Sequence, residues 1–219
     1  MRTRTSRLLL PGMLVLTLLA AYGGWAAITV QDLPDYAVAR QPLSLTFMVR
    51  QHGVTPLPAL EPRVEAEAGG VTTAAVAQPD GETGRYTARL LLPRAGDWRL
   101  TIHSGFMNSQ VTLVPLTVIE PGATPPPAPA AVARGQALFV AKGCVTCHLH
   151  RDVDGSGRVA VGPELTGRTW PAEYLTRFLK DPSIGPEYGN GFRMPNLNLK
   201  DAEVAALIAF LNGEPRASR

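Results

Sequence analysis

Hydrophobic and polar positions change rhythm three times along this chain. From Leu8 to Ile28 the residues are largely apolar and uncharged for 21 positions, about the length that crosses a bilayer as a helix. Alternation then takes over. Leu43 to Val49, Tyr86 to Leu92 and Trp98 to Ile102 step between apolar and polar, and Val111 to Ile119 forms a last strand interrupted by Pro115. Turn signals at Pro79-Asp80-Gly81 and Arg94-Ala95-Gly96-Asp97 fall between them. Short strands at this spacing predict an all-β sandwich over residues 29–120. The third rhythm is helical. Val204, Leu207, Ile208 and Leu211 recur at i, i+3, i+4 and i+7, opened by Asn198 or Asp201 and closed by Asn212-Gly213. Ala172 to Lys180 predicts another helix, with Pro171 suited to its first position, Leu175, Phe178 and Leu179 inward, and Asp181-Pro182 as its stop.

Between the last two regions, residues 121–131 hold Pro121, Pro125, Pro126, Pro127 and Pro129 among small residues. Such a linker cannot build a core, and extended polyproline geometry at roughly 3 Å per residue predicts a reach of about 30 Å.

Charge changes the picture at the N-terminus. Arg2, Arg4 and Arg7 precede the apolar run, so residues 1–28 read as an export signal. Retention as a signal anchor is the favoured reading, with Tyr22 and Trp25 at an interfacial belt. The alternative is a signal peptide cleaved near Gly24-Trp25-Ala26, leaving a soluble secreted or periplasmic protein. Either places the remainder on the extracytoplasmic, periplasmic face of a bacterial inner membrane. The pI of about 9.1 does not imply nucleic-acid binding. Residues 1–28, 29–131 and 132–219 carry +3, −2 and +2, so no clustered basic face is left for phosphates.

The chain holds two cysteines, in Cys144-Val145-Thr146-Cys147-His148. Two thiols three apart followed at once by an imidazole form the attachment signature for c-type haem. The thiols bond the vinyl groups and His148 serves as proximal ligand. A zinc site would need more ligands of matching spacing, and a dithiol redox site needs no adjacent His. After the motif the chain holds His150, too close along the chain to reach the opposite face, and Met194, 46 positions beyond His148 in Arg193-Met194-Pro195-Asn196-Leu197. Met194 is therefore the candidate sixth ligand, in a loop signalled by Gly191 and stiffened by Pro195. Asp152, Asp154, Ser156 and Gly157 begin like a calcium loop, but position twelve is Pro163 rather than Glu, and a solvated loop is the simpler reading. No array of catalytic residues stands out, and Glu164, Glu173 and Glu187 are isolated carboxylates.

With these residues, 132–214 resemble a class I c-type cytochrome. The resemblance implies one covalently attached haem c in an all-α domain whose first helix, with Gly135 four before Phe139, crosses a last helix bearing Leu207 and Phe210. It also implies that the Pro163 carbonyl accepts the proximal imidazole's other N–H, and that Arg168 and Trp170 donate to haem propionates. The hairpin from Gly84 to Leu100, with the Gln51 to Leu57 turn, resembles YtkA-like immunoglobulin-like domains, some associated with copper handling or oxidase assembly. His52, His103, Met48 and Met107 are then copper candidates, against a docking or spacer role.

The expectation is a multidomain protein: anchor or signal peptide 1–28, sandwich 29–120, linker 121–131, cytochrome 132–214 and tail 215–219. Its expected work is carrying single electrons, not catalysis, to or from a membrane oxidase or quinol-oxidising complex. A copper-handling or redox-sensing assembly module is the alternative. An open iron site would instead mean a peroxidase or gas sensor.

Overall fold

The structure is a computed structural model describing residues 24–155, 159, 161–186 and 193–213. Outside these lie Arg2, Arg4, Arg7 and the apolar run through Tyr22, then Ser156, Gly157 and Arg158, Glu187, Gly191, and the tail 215–219.

Chain order runs through Ala26–Val30 (β1), Ala37–Val38 (β2), Pro42–Gln51 (β3), Thr55–Pro56 (β4), Arg63–Ala68 (β5) and Val71–Val76 (β6). It continues through Gln78–Pro79 (β7), Arg85–Leu91 (β8), Gly96–His103 (β9), Gln110–Thr112 (β10) and Leu116–Ile119 (β11). The helices follow: Ala131–Ala141 (α1), Cys144–Cys147 (α2), Ala172–Lys180 (α3) and Asp201–Leu211 (α4), with a 3-10 turn at Pro182–Ile184. Strands and helices are thus segregated into a sandwich and a helical region.

One sheet has the order β1-β3-β8-β7, with β4 on β3; the other runs β2-β11-β9-β5-β6, with β10 on β9. Alternation explains which residues meet between them. Leu45, Phe47 and Val49 of β3, Tyr86, Ala88 and Leu90 of β8, and Trp98, Leu100 and Ile102 of β9 are all buried, the inner faces of a two-sheet core. Buried rings with a polar tip need partners. The Tyr86 hydroxyl donates to the Leu57 carbonyl at 2.7 Å, and Trp98 Nε1 to the Arg94 carbonyl at 3.0 Å. Pro115 divides the final strand into β10 and β11, both paired with β9. Pattern reading missed β5 and β6: β5 alternates, but its inward positions are one Val and two Ala, and β6 shows no apolar-polar alternation, so the apolar signal is weak.

Two boundaries differ from the sequence expectation. Ala26, Ala27 and Ile28 of β1 pair with Gln51, Arg50 and Val49 of β3 respectively, so the sandwich starts inside the apolar run rather than at residue 29. An uncharged segment gives the same local signal whether it enters lipid or a protein core. Among the described residues no helix is long and apolar enough to cross a membrane. Pro171 caps α3 from outside, with ψ 127°, instead of occupying its first turn.

The linker does not hold the two regions apart. Every residue of β1 is buried, although an edge strand of an antiparallel sheet normally shows one face to water. Its outer face lies against the helical region: the Thr29 hydroxyl donates to the Lys142 carbonyl at 3.5 Å. The next residues continue the contact. Lys142 Nζ donates to the Gln31 carbonyl at 2.6 Å, Lys200 pairs with Asp32 at 2.5 Å, and Arg134 reaches both the Leu33 carbonyl at 2.6 Å and Asp35 at 3.0 Å. Lys142 is 4% exposed and also bonds Glu203 at 2.7 Å. A buried ammonium is costly unless its donors are satisfied, so the Gln31 carbonyl ties docking to the stability of the helical region. The expected 30 Å reach is replaced by direct contact.

The helices pack through the predicted crossing. A Cβ added to Gly135 of α1 would lie 2.0 Å from the Ala206 carbonyl oxygen of α4, closer than any side chain allows. Phe139 meets Phe210 beside it, with ring centroids 5.5 Å apart. His150 sits in this aromatic layer, 4.4 Å from the Phe210 ring, and is a core residue.

Candidate functional site

The site begins with a single helical turn. Gly143, at φ 78°, lets the chain leave α1 sharply and enter α2. One turn places Cys144 and Cys147 at i and i+3, on the same side. His148 leaves the helix with extended backbone, its N–H still donating to the Cys144 carbonyl at 2.9 Å. The chain is thereby delivered with two thiols and an imidazole at one cleft.

His148 Nδ1 lies 2.9 Å from the Pro163 carbonyl oxygen. A carbonyl can only accept, so Nδ1 carries the proton and Nε2 is the nitrogen with a free lone pair. Burial lowers the His148 pKa, with the Pro163 bond opposing it, so the ring is neutral near pH 7. Gly162 makes room for this arrangement: a Cβ there would stand 2.5 Å from the His148 ring. Both cysteines are free thiols. Burial pushes Cys144 up to about 12, with Cys147 adding to it, and Cys147 up to about 11. Such thiols lack the lowered pKa of a dithiol redox site.

Two apolar lobes, both open to solvent, share Cys144, His148, Pro163 and Met194 in their walls. The second lobe is lined by Phe139, Trp170, Leu175, Leu179, Leu207 and Leu211. The first is bounded by Cys147 and Arg193 and, from the sandwich, by Trp25, Ala27, Thr29 and His52. The Met194 loop is held at both ends. Arg193 Nη1 donates to the Ser183 carbonyl at 3.1 Å and Asn196 Nδ2 to the Lys180 carbonyl at 3.1 Å.

Of the expected site residues, Cys144, Cys147, His148, Pro163, Met194 and Trp170 come together. Trp170 contributes its ring to the second lobe, and its backbone exchanges two hydrogen bonds with the Asn212 side chain. Arg168 does not join them; it is exposed, outside the walls of both lobes. Trp25, His52, Lys142 and Arg193 were not read as cleft residues. Arg193, adjacent to Met194, had a signal in its position; the others had none.

The copper candidates are dispersed. Met48 is buried in β3, His52 borders the first lobe, and His103 and Met107 border a separate polar depression, where His103 Nε2 lies 3.3 Å from Glu65. Among the described residues no group of three or more His, Cys, Asp or Glu could hold a metal ion. Of the calcium-like loop, Asp152 and Asp154 are described and exposed, while Ser156 and Gly157 lie outside the described residues.

An iron porphyrin fits this cleft. Its walls are apolar, two thiols border it beside an imidazole of fixed tautomer, and a thioether borders both lobes.

Residues 130–211 match a family model described as cytochrome c oxidase, cbb3-type, subunit III. None of the curated proteins compared with the chain matches it. Among solved structures, superoxide reductase (neelaredoxin) from Ignicoccus hospitalis is similar at 13% identity over 42% of this chain and 80% of that one, with a TM-score of 0.28. The PKD domain of the human VPS10 domain-containing receptor SorCS2 is similar at 16% identity over 47% and 77%, with a TM-score of 0.26. Likenesses this slight carry no argument about the chain.

Proposed function

We propose that this chain, whose residues 130–211 are a c-type cytochrome segment, is a monohaem electron carrier tethered to the periplasmic face of an inner membrane. The observation that carries the reading is the meeting of Cys144, Cys147, His148 and Met194 in one apolar cleft, with the His148 tautomer set by Pro163.

When bound, haem c supplies a one-electron couple between ferric and ferrous iron. The chain's residues tune and protect that couple. Cys144 and Cys147 would hold the macrocycle through thioether bonds, and His148 would offer Nε2 to the iron. The Pro163 carbonyl keeps the imidazole oriented and makes it a stronger donor. Met194 would hold the iron through its thioether together with His148, and a Met/His pair favours a high potential. The leucines of the second lobe exclude water, and low polarity favours the less charged, reduced state. Arg2, Arg4 and Arg7 ahead of the apolar run support export and anchoring. A fixed membrane partner, such as an oxidase or quinol-oxidising complex, follows from such a tether.

The test is spectroscopic. Wild-type protein made in a host that attaches haem c should gain the mass of one tetrapyrrole and show the sulfur-to-iron absorption band at the red end of the oxidised spectrum. Met194→Ala should lose that band and lower the midpoint potential. A variant with an unchanged spectrum would remove Met194 from the iron, and wild-type protein without added mass would end the proposal. Co-purification of the untagged protein from membranes in mild detergent would identify its partner.

A further inference from the structure

The first lobe is not enclosed by the helical region alone. Its outer wall belongs to the sandwich, more than ninety residues away along the chain. Trp25 stands immediately before β1, with its ring 5.5 Å from the His52 ring at 63°, and the His52 backbone N–H donates to the Trp25 carbonyl at 3.0 Å. His52 and Gly53 have φ of 52° and 75°. Two successive positive φ values fold a tight turn, and for His such a backbone is uncommon. Gly24, at φ 129°, admits the imidazole: a Cβ there would stand 2.4 Å from His52 Nε2.

The same turn touches the Met194 loop. A Cβ built on Gly53 would lie 3.6 Å from Pro195 Cγ and 3.9 Å from Trp25 Cη2, so Pro195 rests on the turn. On the cysteine side, a Cβ on Gly143 would lie 2.6 Å from the Ile28 carbonyl oxygen. The sandwich therefore contacts the residue before Cys144 and the residue after Met194. The bonds from Lys142, Arg134 and Lys200 to residues 31–35 hold it there.

We infer that the β sandwich is the outer wall of the haem cleft, with Trp25 and His52 shielding the edge beside Cys144 and Cys147 and the Gly53 turn bracing the Met194 loop through Pro195. This rests on the haem reading above and adds a dependence of ligation and potential on docking. A redox partner approaching from this side meets Trp25 and His52 rather than the porphyrin edge. Trp25 and His52 are positioning residues: neither bonds the iron, and each acts through solvent exclusion and loop placement.

Two full-length variants test the wall. Trp25→Ala combined with His52→Ala removes the shield, while Asp32→Lys combined with Asp35→Lys repels Lys200 and Arg134 and undocks the sandwich by changing surface residues. Both should retain haem of full covalent mass. Each should shift the reduced-to-oxidised ratio at fixed poise about tenfold toward oxidised, 59 mV for one electron, and speed carbon monoxide binding to the reduced protein about tenfold. Amide hydrogen exchange at Thr29 and Gly143 should rise in the undocked variant, a readout independent of electron transfer. Adding Arg134→Asp and Lys200→Asp restores the pairs with reversed charge and should return all three values toward wild type. Haem-loaded variants with wild-type potential and carbon monoxide kinetics overturn the inference while leaving the haem reading intact. Failure of the charge swap to restore an altered potential overturns docking as its cause. A wild-type chain that attaches no haem sinks the haem reading itself.

Discussion

In the sandwich, Trp98 and Phe47 are fully shielded, and their neighbours across the sheets are the chain's own side chains. In the helical region, Leu175, Leu179, Leu207 and Leu211 line a cleft with Cys144 and Met194 instead of closing on one another. The first region completes its core from sequence. The second encloses a volume that a cofactor completes, and it leans on the first through Lys142 and the Gln31 carbonyl. The comparison teaches that two adjacent folds can draw on different sources of stability, one on apolar packing alone and the other on packing, a ligand and a neighbouring domain.

The contrast is sharpest where backbones touch. Gly135→Val should have the largest effect, because its Cβ would stand 2.0 Å from the Ala206 carbonyl and backbone cannot step aside. The α1–α4 crossing should open, haem attachment should fail, and the circular-dichroism helix signal should fall while the sheet signal persists. Normal holoprotein yield would show that the crossing does not organise the site.

Trp98→Ala probes the other region. Removing a fully buried indole from a closed core costs ~3–5 kcal/mol, a large share of a domain's ~5–15 kcal/mol. Chemical denaturation should show the sheet transition moving to much lower denaturant than the haem transition. If both transitions moved together by the same amount, the two regions would be one cooperative unit and the comparison would fail.

Asp32→Asn should have the smallest effect, because both partners of the Lys200 pair are exposed and solvent screens them. The hydrogen bond from Lys200 holds the Asp32 carboxyl below its ordinary pKa, and Asp32 in turn raises Lys200. A lowered carboxyl contributes to docking fully above its ordinary value and loses that contribution as pH falls through its folded value. A raised ammonium contributes below its ordinary value and loses it as pH rises through the folded one. Exchange at Thr29 measured against pH should therefore steepen on the acid side in the wild type and flatten there in Asp32→Asn. An identical acid limb in the two proteins would remove this pair from the docking.

How much of this was legible varies with the range of the signal. The strands around Phe47, Tyr86 and Trp98 and the helices around Leu175 and Leu207 follow from periods of two and of 3.6. β5 and β6 escaped because alanine dominates the inward positions of β5 and β6 has no apolar-polar alternation. Ala26 to Ile28 escaped because apolar character does not say whether lipid or a second sheet strand will cover it. Arg168 was placed by resemblance; it is exposed and lines neither lobe.

By itself the sequence determined the chemistry offered to the cofactor, since Cys144, Cys147 and His148 are neighbours and Met194 is the remaining thioether after them. It also determined the elements that carry them, because their periodicity is local. Tertiary structure alone decided that a proline-rich connection would end in contact instead of reach, that Lys142 would find its acceptor 111 positions back at Gln31, and that Trp25 and His52 would border the same cleft as Met194. Those outcomes depend on which faces meet once each region has formed, and residues a hundred positions apart share no local pattern that records it.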